Sequence, residues 1–270
     1  MNKETLKQQE SKITPLEIGE MLKSPYVLVV FDFDHTLFDT SGFHRKSFQE
    51  TLYVLDRPLV ITPDLGATLR GKNDEDILRI LLEVSGGVDD SSLERAVKER
   101  EKVLRQLVEL EQDLSCYFMP EIEDLIRSLR VNRKKVGIAS NSPDGFVKEF
   151  VTRVNVDGKS ISDAFVPDAI VGGTTVKSIY NALSVDDNVF SLNKPNPFSI
   201  RYSASKISGE QEFPILYIGD GRVDALSVRG RKNMVGLIIN EKEQGVLSGE
   251  FDDFGNILVA GSIKEVLNEK

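Results

Sequence analysis

Residues 32 to 36 read Asp-Phe-Asp-His-Thr and follow the apolar, β-branched run Val27 to Phe31 without a break. Side chains at i and i+2 of an extended segment point the same way, so Asp32 and Asp34 reach one site where strand geometry persists through Phe33. Two carboxylates held that close repel each other, and a divalent cation relieves the repulsion. Carboxylates, a backbone carbonyl and water form an oxygen-only set that suits Mg²⁺. Three further places bring groups of matching chemistry: Ser140 and Asn141 after the run Lys135 to Ala139, Lys194 ahead of a helix start at Pro195-Asn196-Pro197, and Asp220 and Asp224 after Ile215 to Gly219. Asp220 is then the expected third protein contact of a cation.

Groups so far apart in sequence meet only if a fold gathers the ends of several strands. Val27 to Phe33 has the continuous apolar pattern of a strand buried on both faces of a parallel sheet. From about 41 to 115 the pattern is helical: Phe48, Leu52 and Leu55, then Ile77, Leu78, Leu81 and Leu82, then ERAVKEREKVLRQLVEL, which reads as a solvated amphipathic helix because its apolar positions hold no sustained heptad. Beyond Pro120, a helix face (Ile122, Leu125, Ile126, Leu129) precedes strands at Lys135–Ala139, Phe165–Val171, Ile215–Gly219, Met234–Ile239 and Ile257–Ala260, with helical segments between most of them. Alternation of this kind predicts an α/β fold, a doubly wound parallel sheet. Residues 1–40 and 116–270 are expected to form the core, and 41–115 an inserted α-helical domain. Thr14-Pro15-Leu16-Glu17 carries an N-cap, a proline for the first helical position and a capping-box glutamate, which predicts a short helix over about 15 to 23. Residues 172 to 193 yield one helix around Val176 to Leu183 and a loop.

With 270 residues, 40% of them apolar, the chain can bury the core of one domain with a satellite. Its net charge of −9, with basic residues scattered among acids, argues against nucleic acid or an anionic membrane as the main partner. The single cysteine, Cys116, excludes internal disulfides and a cysteine-based metal cluster. No stretch has the apolar length of a signal peptide or a bilayer span, so a cytoplasmic location is expected.

Taken together and in order, these segments resemble the four motifs of the haloacid dehalogenase superfamily of phosphotransfer enzymes. Asp32-Phe33-Asp34-His35-Thr36-Leu37 is similar to the first, Ile138-Ala139-Ser140-Asn141 to the second, Lys194-Pro195 to the third, and Gly219-Asp220-Gly221-Arg222-Val223-Asp224 to the acidic fourth. The resemblance spans roughly residues 26 to 267. It implies a Rossmann-like core with the helical insert as its cap, and a Mg²⁺-dependent phosphomonoester hydrolase acting on a small phosphorylated metabolite. Asp32 would be the nucleophile, forming an aspartyl-phosphate, and Asp34 the general acid and base. Mg²⁺ would be held by Asp32, the Asp34 carbonyl and Asp220, with Asp224 orienting these ligands or Lys194 from behind. Lys194 would steady Asp32 and the phosphoryl oxygens, Ser140 would donate a hydrogen bond, and Asn141 would contact substrate or shape the turn. Leu69-Arg70-Gly71-Lys72-Asn73 resembles the specificity loop of the phosphoglucomutase-like and phosphoglycolate-phosphatase-like members, so Arg70 and Lys72 are candidates to meet an anionic substrate. A phosphomutase of the β-phosphoglucomutase type and a catalytically silent binding protein are the alternatives on the same fold. One departure is His35, where the family usually has glycine; histidine tolerates positive φ better than most residues. His44 is expected to be a satisfied or exposed side chain.

Overall fold

A computed structural model of the chain describes residues 12–69, 72–156, 158–183, 192–209, 211–251 and 253–267. The chain enters through helix α1 (Pro15–Lys23), closed at its start by the expected capping box: the Thr14 hydroxyl accepts from Glu17 N, and the Glu17 carboxylate accepts from Thr14 N at 2.8 Å. Strand β1 follows, confined to Leu28–Phe31 rather than extending to Phe33. Asp32 still donates its N–H to Ile218 O at 2.7 Å, but Leu37 N and Phe38 N both turn back onto Phe33 O. That tight reversal ends the strand and places His35 at φ 59, the region its side chain tolerates.

Helices α2 (Ser41–Val54), α3 (Pro63–Leu69), α4 (Asp74–Val84) and α5 (Asp90–Leu110) come next. They bury a cluster of their own, built on Phe48, Leu52, Leu78, Leu81, Leu82, Leu93 and Ala96. The sequence gives α5 as an amphipathic helix with its charges in solvent; its buried stripe is Leu93, Ala96, Arg100, Val103, Leu104 and Val108, so one arginine lies inside. The chain returns through a 3-10 turn at Leu114–Tyr117, and the outgoing and incoming connections pair side by side: Asp39 N donates to Tyr117 O at 2.8 Å and Met119 N to Leu37 O at 2.9 Å.

The remainder alternates: α6 (Pro120–Val131), β2 (Val136–Ala139), α7 (Asp144–Arg153), a small hairpin of β3 (Asn155–Val156) and β4 (Lys159–Ser160), β5 (Phe165–Val171), α8 (Gly173–Ala182), α9 (Phe198–Ser208), β6 (Ile215–Gly219), α10 (Arg222–Val228), β7 (Met234–Ile239), α11 (Gln244–Phe251), β8 (Ile257–Ala260) and α12 (Ile263–Leu267). The helix after Lys194 starts at Phe198, with Pro197 as its N-cap, and not at Pro195. Six strands form one parallel sheet in the order β5-β2-β1-β6-β7-β8. The strand order reverses at β1, and such a reversal opens a crevice at the carboxyl ends of the strands on either side of it. One face of the sheet packs Val29, Phe31, Ile138 and Ile218 into the larger core; the other buries Val30, Tyr217 and Ile238. Among the described residues, no helix is long and apolar enough to cross a membrane.

An aromatic cluster fixes the helical insert over that crevice. Phe33 lies 5.7 Å from Phe146 and 5.6 Å from Phe150 on α7, while Phe43 of α2 lies 5.3 Å from Phe150. Edge-to-face pairs of this kind add attraction beyond the area they bury. The His44 ring, next in sequence, stands 5.3 Å from Phe146, so the first turns of α2 are anchored directly above Asp34.

Candidate active site

The residues singled out in the sequence sort into two groups. The first surrounds the Lys194 ammonium, which hydrogen-bonds Asp32 Oδ1, Asp224 Oδ1 at 2.9 Å and the Tyr217 hydroxyl at 3.0 Å. Lys194 comes from the loop before α9, Asp32 from the end of β1, Tyr217 from β6 and Asp224 from the first turn of α10. All four are nearly inaccessible to solvent. Gly219 makes the arrangement sterically feasible, since a Cβ there would stand 2.6 Å from Asp224 Cβ and Cγ. Asn141 supports the loop by accepting the Lys194 N–H at 3.1 Å.

Carboxylate oxygens of Asp32, Asp220 and Asp224 lie within 4.8 Å of one another. Burial pushes the Asp32 carboxyl up, as do the charges of Asp224 and Asp34, against the pull of Lys194. Burial likewise drives Asp220 well up, with Asp224 and Asp32 adding to it. Lys194 is displaced upward because the attraction of Asp224 and Asp32 overcomes the desolvation that would lower it. One ammonium thus serves three carboxyl groups, two of which are pushed toward their neutral form by burial and by one another, the condition under which a hard cation would find a favourable place. Asp224 has little left to offer such an ion: Oδ1 accepts from Lys194 and Tyr217, and Oδ2 accepts from Asp220 N at 3.3 Å and Gly221 N at 3.2 Å.

Asp34 heads the second group and turns away from Lys194. Its Oδ1 accepts from Thr40 at 2.5 Å and contacts His44 Nε2 at 2.8 Å; its Oδ2 accepts from Ser142 at 2.6 Å and from Ser140 at 3.3 Å. Asp32 and Asp34 therefore do not share one set of partners, because the strand ends before Asp34 and the turn re-aims its side chain. Burial would raise the Asp34 carboxyl, but its contact with His44 and the hydrogen bonds from Ser142 and Thr40 outweigh that and hold it well below the ordinary carboxylate range. Arg100 Nη2 stands 2.8 Å from His44 Nδ1. A guanidinium only donates, so Nδ1 accepts; the tautomer assigned from these partners carries its proton on Nε2 and gives it to Asp34. Arg100 itself is 1% exposed, pairs with Asp74 at the start of α4 and lies 4.1 Å over the Phe48 ring.

Asp32, Ser140 and Asp220 follow the carboxyl ends of β1, β2 and β6, joined by Lys194 from the loop before α9, which Asn141 supports, and by Asp224 from α10; Asp34, expected to face the same site as Asp32, faces Thr40, His44, Ser140 and Ser142 instead. Lys72 is exposed, two residues before Asp74. Arg70 lies outside the described residues. Sequence reasoning missed Thr40, Ser142, Tyr217 and Arg100, and it gave His44 no part in the site. Signals for two of them were present: Arg100 interrupts the apolar stripe of α5, and Tyr217 brings a hydroxyl into an otherwise apolar buried strand, where such a group needs a partner. Helix α8, for which the sequence gives only an approximate span, is tied to the same loop, with Gly173 N donating to Ser142 O at 2.8 Å and Thr175 N to Asp144 Oδ1 at 3.0 Å. Its Lys177 pairs with Glu75 of α4 at 3.1 Å.

The sequence model of the family described as haloacid dehalogenase-like hydrolase matches residues 29–233. No curated protein matches the chain. Solved structures similar in fold include a HAD hydrolase, family IA, variant 3, from Entamoeba histolytica (18% identity, 89% of this chain and 97% of that one, TM-score 0.60). A mutant of CbbY from Rhodobacter sphaeroides in complex with xylulose-(1,5)bisphosphate is 16% identical over 79% of this chain and 85% of that one, with a TM-score of 0.60. A β-phosphoglucomutase from Clostridium difficile is 16% identical over 88% and 92%, with a TM-score of 0.58.

Proposed function

This chain belongs to the haloacid dehalogenase-like hydrolase family, and on that premise we propose that it is a Mg²⁺-dependent phosphomonoester hydrolase acting on a small phosphorylated metabolite. The observation that carries the reading is Lys194 pressed against Asp32 Oδ1 at the centre of a cluster of three carboxyl groups. Asp32 is the nucleophile in this reading: Lys194 holds Oδ1 and leaves the other oxygen to attack phosphorus. The ester P–O bond breaks, and the leaving oxygen takes a proton from Asp34 when that group is protonated. In the second half, Asp34 as carboxylate removes a proton from water, which attacks the aspartyl-phosphate and frees Asp32. The donors around Asp34 favour the carboxylate, so the arrangement described above is the one suited to the second half.

Asp32 and Asp220, whose carboxylate oxygens lie within 4.8 Å of each other, would hold Mg²⁺ together with the Asp34 carbonyl in an oxygen-only set, and the ion would supply charge neutralisation for the phosphoryl oxygens. Ser140 and Ser142 share the Asp34 carboxylate, so a phosphoryl oxygen would compete for their hydroxyls. The helices from Ser41 to Leu110 serve as the cap, within residues 41–115, and exclude water from the site while Lys72 and Arg70 stand as candidates for the rest of the substrate. The complex of the CbbY mutant with a sugar bisphosphate is in keeping with a small phosphorylated ligand. A phosphomutase is the second reading, favoured by the burial of Asp32 at 4% exposure, which would slow loss of an intermediate to water.

Phosphate release from p-nitrophenyl phosphate and a panel of phosphorylated metabolites, with Mg²⁺ or EDTA, tests the proposal. Metal-dependent release that Asp32→Asn abolishes is the expected result. Conversion of a sugar phosphate to its isomer without phosphate release would favour the mutase, and neither reaction would leave a binding protein.

A further inference from the structure

Lys194 has three N–H bonds, and the structure accounts for all of them: Asp32 Oδ1, Asp224 Oδ1 and Tyr217 Oη. The first two partners are carboxylates, expected neighbours of a buried ammonium. The third is a neutral hydroxyl on β6, 0% exposed, in a strand whose other residues are Ile215, Leu216, Ile218 and Gly219. The same hydroxyl donates to Asp224 Oδ1 at 2.8 Å, so Tyr217, Lys194 and Asp224 close a three-membered ring of hydrogen bonds. Its next neighbour, Ala139 O, is 3.5 Å away. Without the hydroxyl, the ammonium would keep two acceptors and swing about its flexible stem, and Asp224 Oδ1 would lose one of its two donors. Both losses would fall on the atoms that aim Asp32.

We propose that Tyr217 is a positioning residue of the phosphoryl-transfer site, its hydroxyl fixing Lys194 against Asp32 and holding Asp224 behind it. The inference rests on the hydrolase reading for its kinetic consequence but not for its geometry. Tyr217 is fully buried, its hydroxyl among Lys194, Asp224 and Ala139 O, and so would touch neither substrate nor leaving group; its effect is then the same whichever alcohol departs, in contrast to a proton donor, which matters most for poor leaving groups.

The test is Tyr217→Phe, which keeps the ring and removes the oxygen. The expected result is a roughly ten- to hundredfold fall in kcat, the scale of one hydrogen bond to a charged group. That fall should be equal for p-nitrophenyl phosphate and an alkyl phosphate, with KM within about twofold and thermal unfolding little changed. An activity-independent readout is the ¹H–¹⁵N spectrum of the lysine ammonium groups, where a slowly exchanging Lys194 signal, assigned by its absence in Lys194→Arg, should be present in wild type and lost in Tyr217→Phe. Unchanged kcat, or an unchanged Lys194 signal, overturns the proposal, and so does a loss of stability with kcat intact. If wild type hydrolyses no phosphate ester, the hydrolase reading fails, and the Lys194 signal alone decides the role of Tyr217. Should Tyr217→Phe not fold, Tyr217→Met removes the oxygen and leaves a flexible apolar side chain that can repack, and it must lose the Lys194 signal; a retained signal overturns the proposal.

Discussion

The two halves of the site are held in opposite ways. Around Lys194 every partner comes from the α/β core, and the side chains of Lys194, Asp32 and Asp224 are 5%, 6% and 5% exposed. Around Asp34 the bonds come from Thr40 in the connection to the helical insert, from His44 on α2 and from the loop after β2, and the side chain is 23% exposed. The difference matches what each half must do. Charge that meets a phosphoryl group has to stay fixed, since catalysis there rests on positioning and electrostatics. A group that must be protonated in one step and ionised in the next needs surroundings that can change, and those of Asp34 depend on how the insert sits on the core.

Substitutions can break or sharpen that contrast. The largest effect belongs to Asp32→Asn, which should lower turnover by at least about four orders of magnitude on every phosphate ester while circular dichroism stays that of wild type. Asp34→Asn comes next: a loss of about 10²- to 10⁴-fold on alkyl phosphates and a visibly smaller one on p-nitrophenyl phosphate, read from kcat on the two substrates. Equal losses would erase the distinction between the halves. His44→Ala should cost roughly ten- to hundredfold in kcat with the same dependence on leaving group, because it removes one hydrogen bond to a carboxylate. Stability against pH gives a gentler probe. The folded Asp34 is held below its ordinary value of 3.8, so the stability it supplies is complete above that pH and drains as pH falls through and below it. The gap in urea midpoint between wild type and Asp34→Asn should therefore narrow from about pH 5 to about pH 3. Smallest is Lys72→Ala, expected to raise KM for the true metabolite a few fold, on the scale of one exposed ion pair, and to leave KM for p-nitrophenyl phosphate unchanged.

The core half was legible in the sequence for a physical reason. Buried parallel strands read as short continuous apolar runs, and β5 to β8 fall on Phe165–Val171, Ile215–Gly219, Met234–Ile239 and Ile257–Ala260 as expected. The residues that close such runs are forced to the sheet's carboxyl end, so Asp32, Ser140 and Asp220 were visible at once. The Asp34 half was not, because its partners meet through tertiary packing: His44 is ten residues away on a helix, Arg100 another 56 beyond it. Nothing in local periodicity says which face of α2 will rest over β1; the aromatic contacts of Phe43 with Phe146 and Phe150 decide that, and they join segments a hundred residues apart.

Gly219 carries a consequence for how this sequence can drift. Every replacement adds at least one carbon, and that carbon would stand 2.6 Å from Asp224 Cβ and Cγ and force a shift of the side chain whose four hydrogen bonds hold Lys194, Tyr217 and the turn into α10. In a saturation library selected for activity, position 219 should return glycine and little else, with neither polarity nor volume ranking the failures. The same library selected only for solubility should accept alanine there. The two spectra of survivors would then separate what the fold requires from what the chemistry requires, one position before the nearest acid.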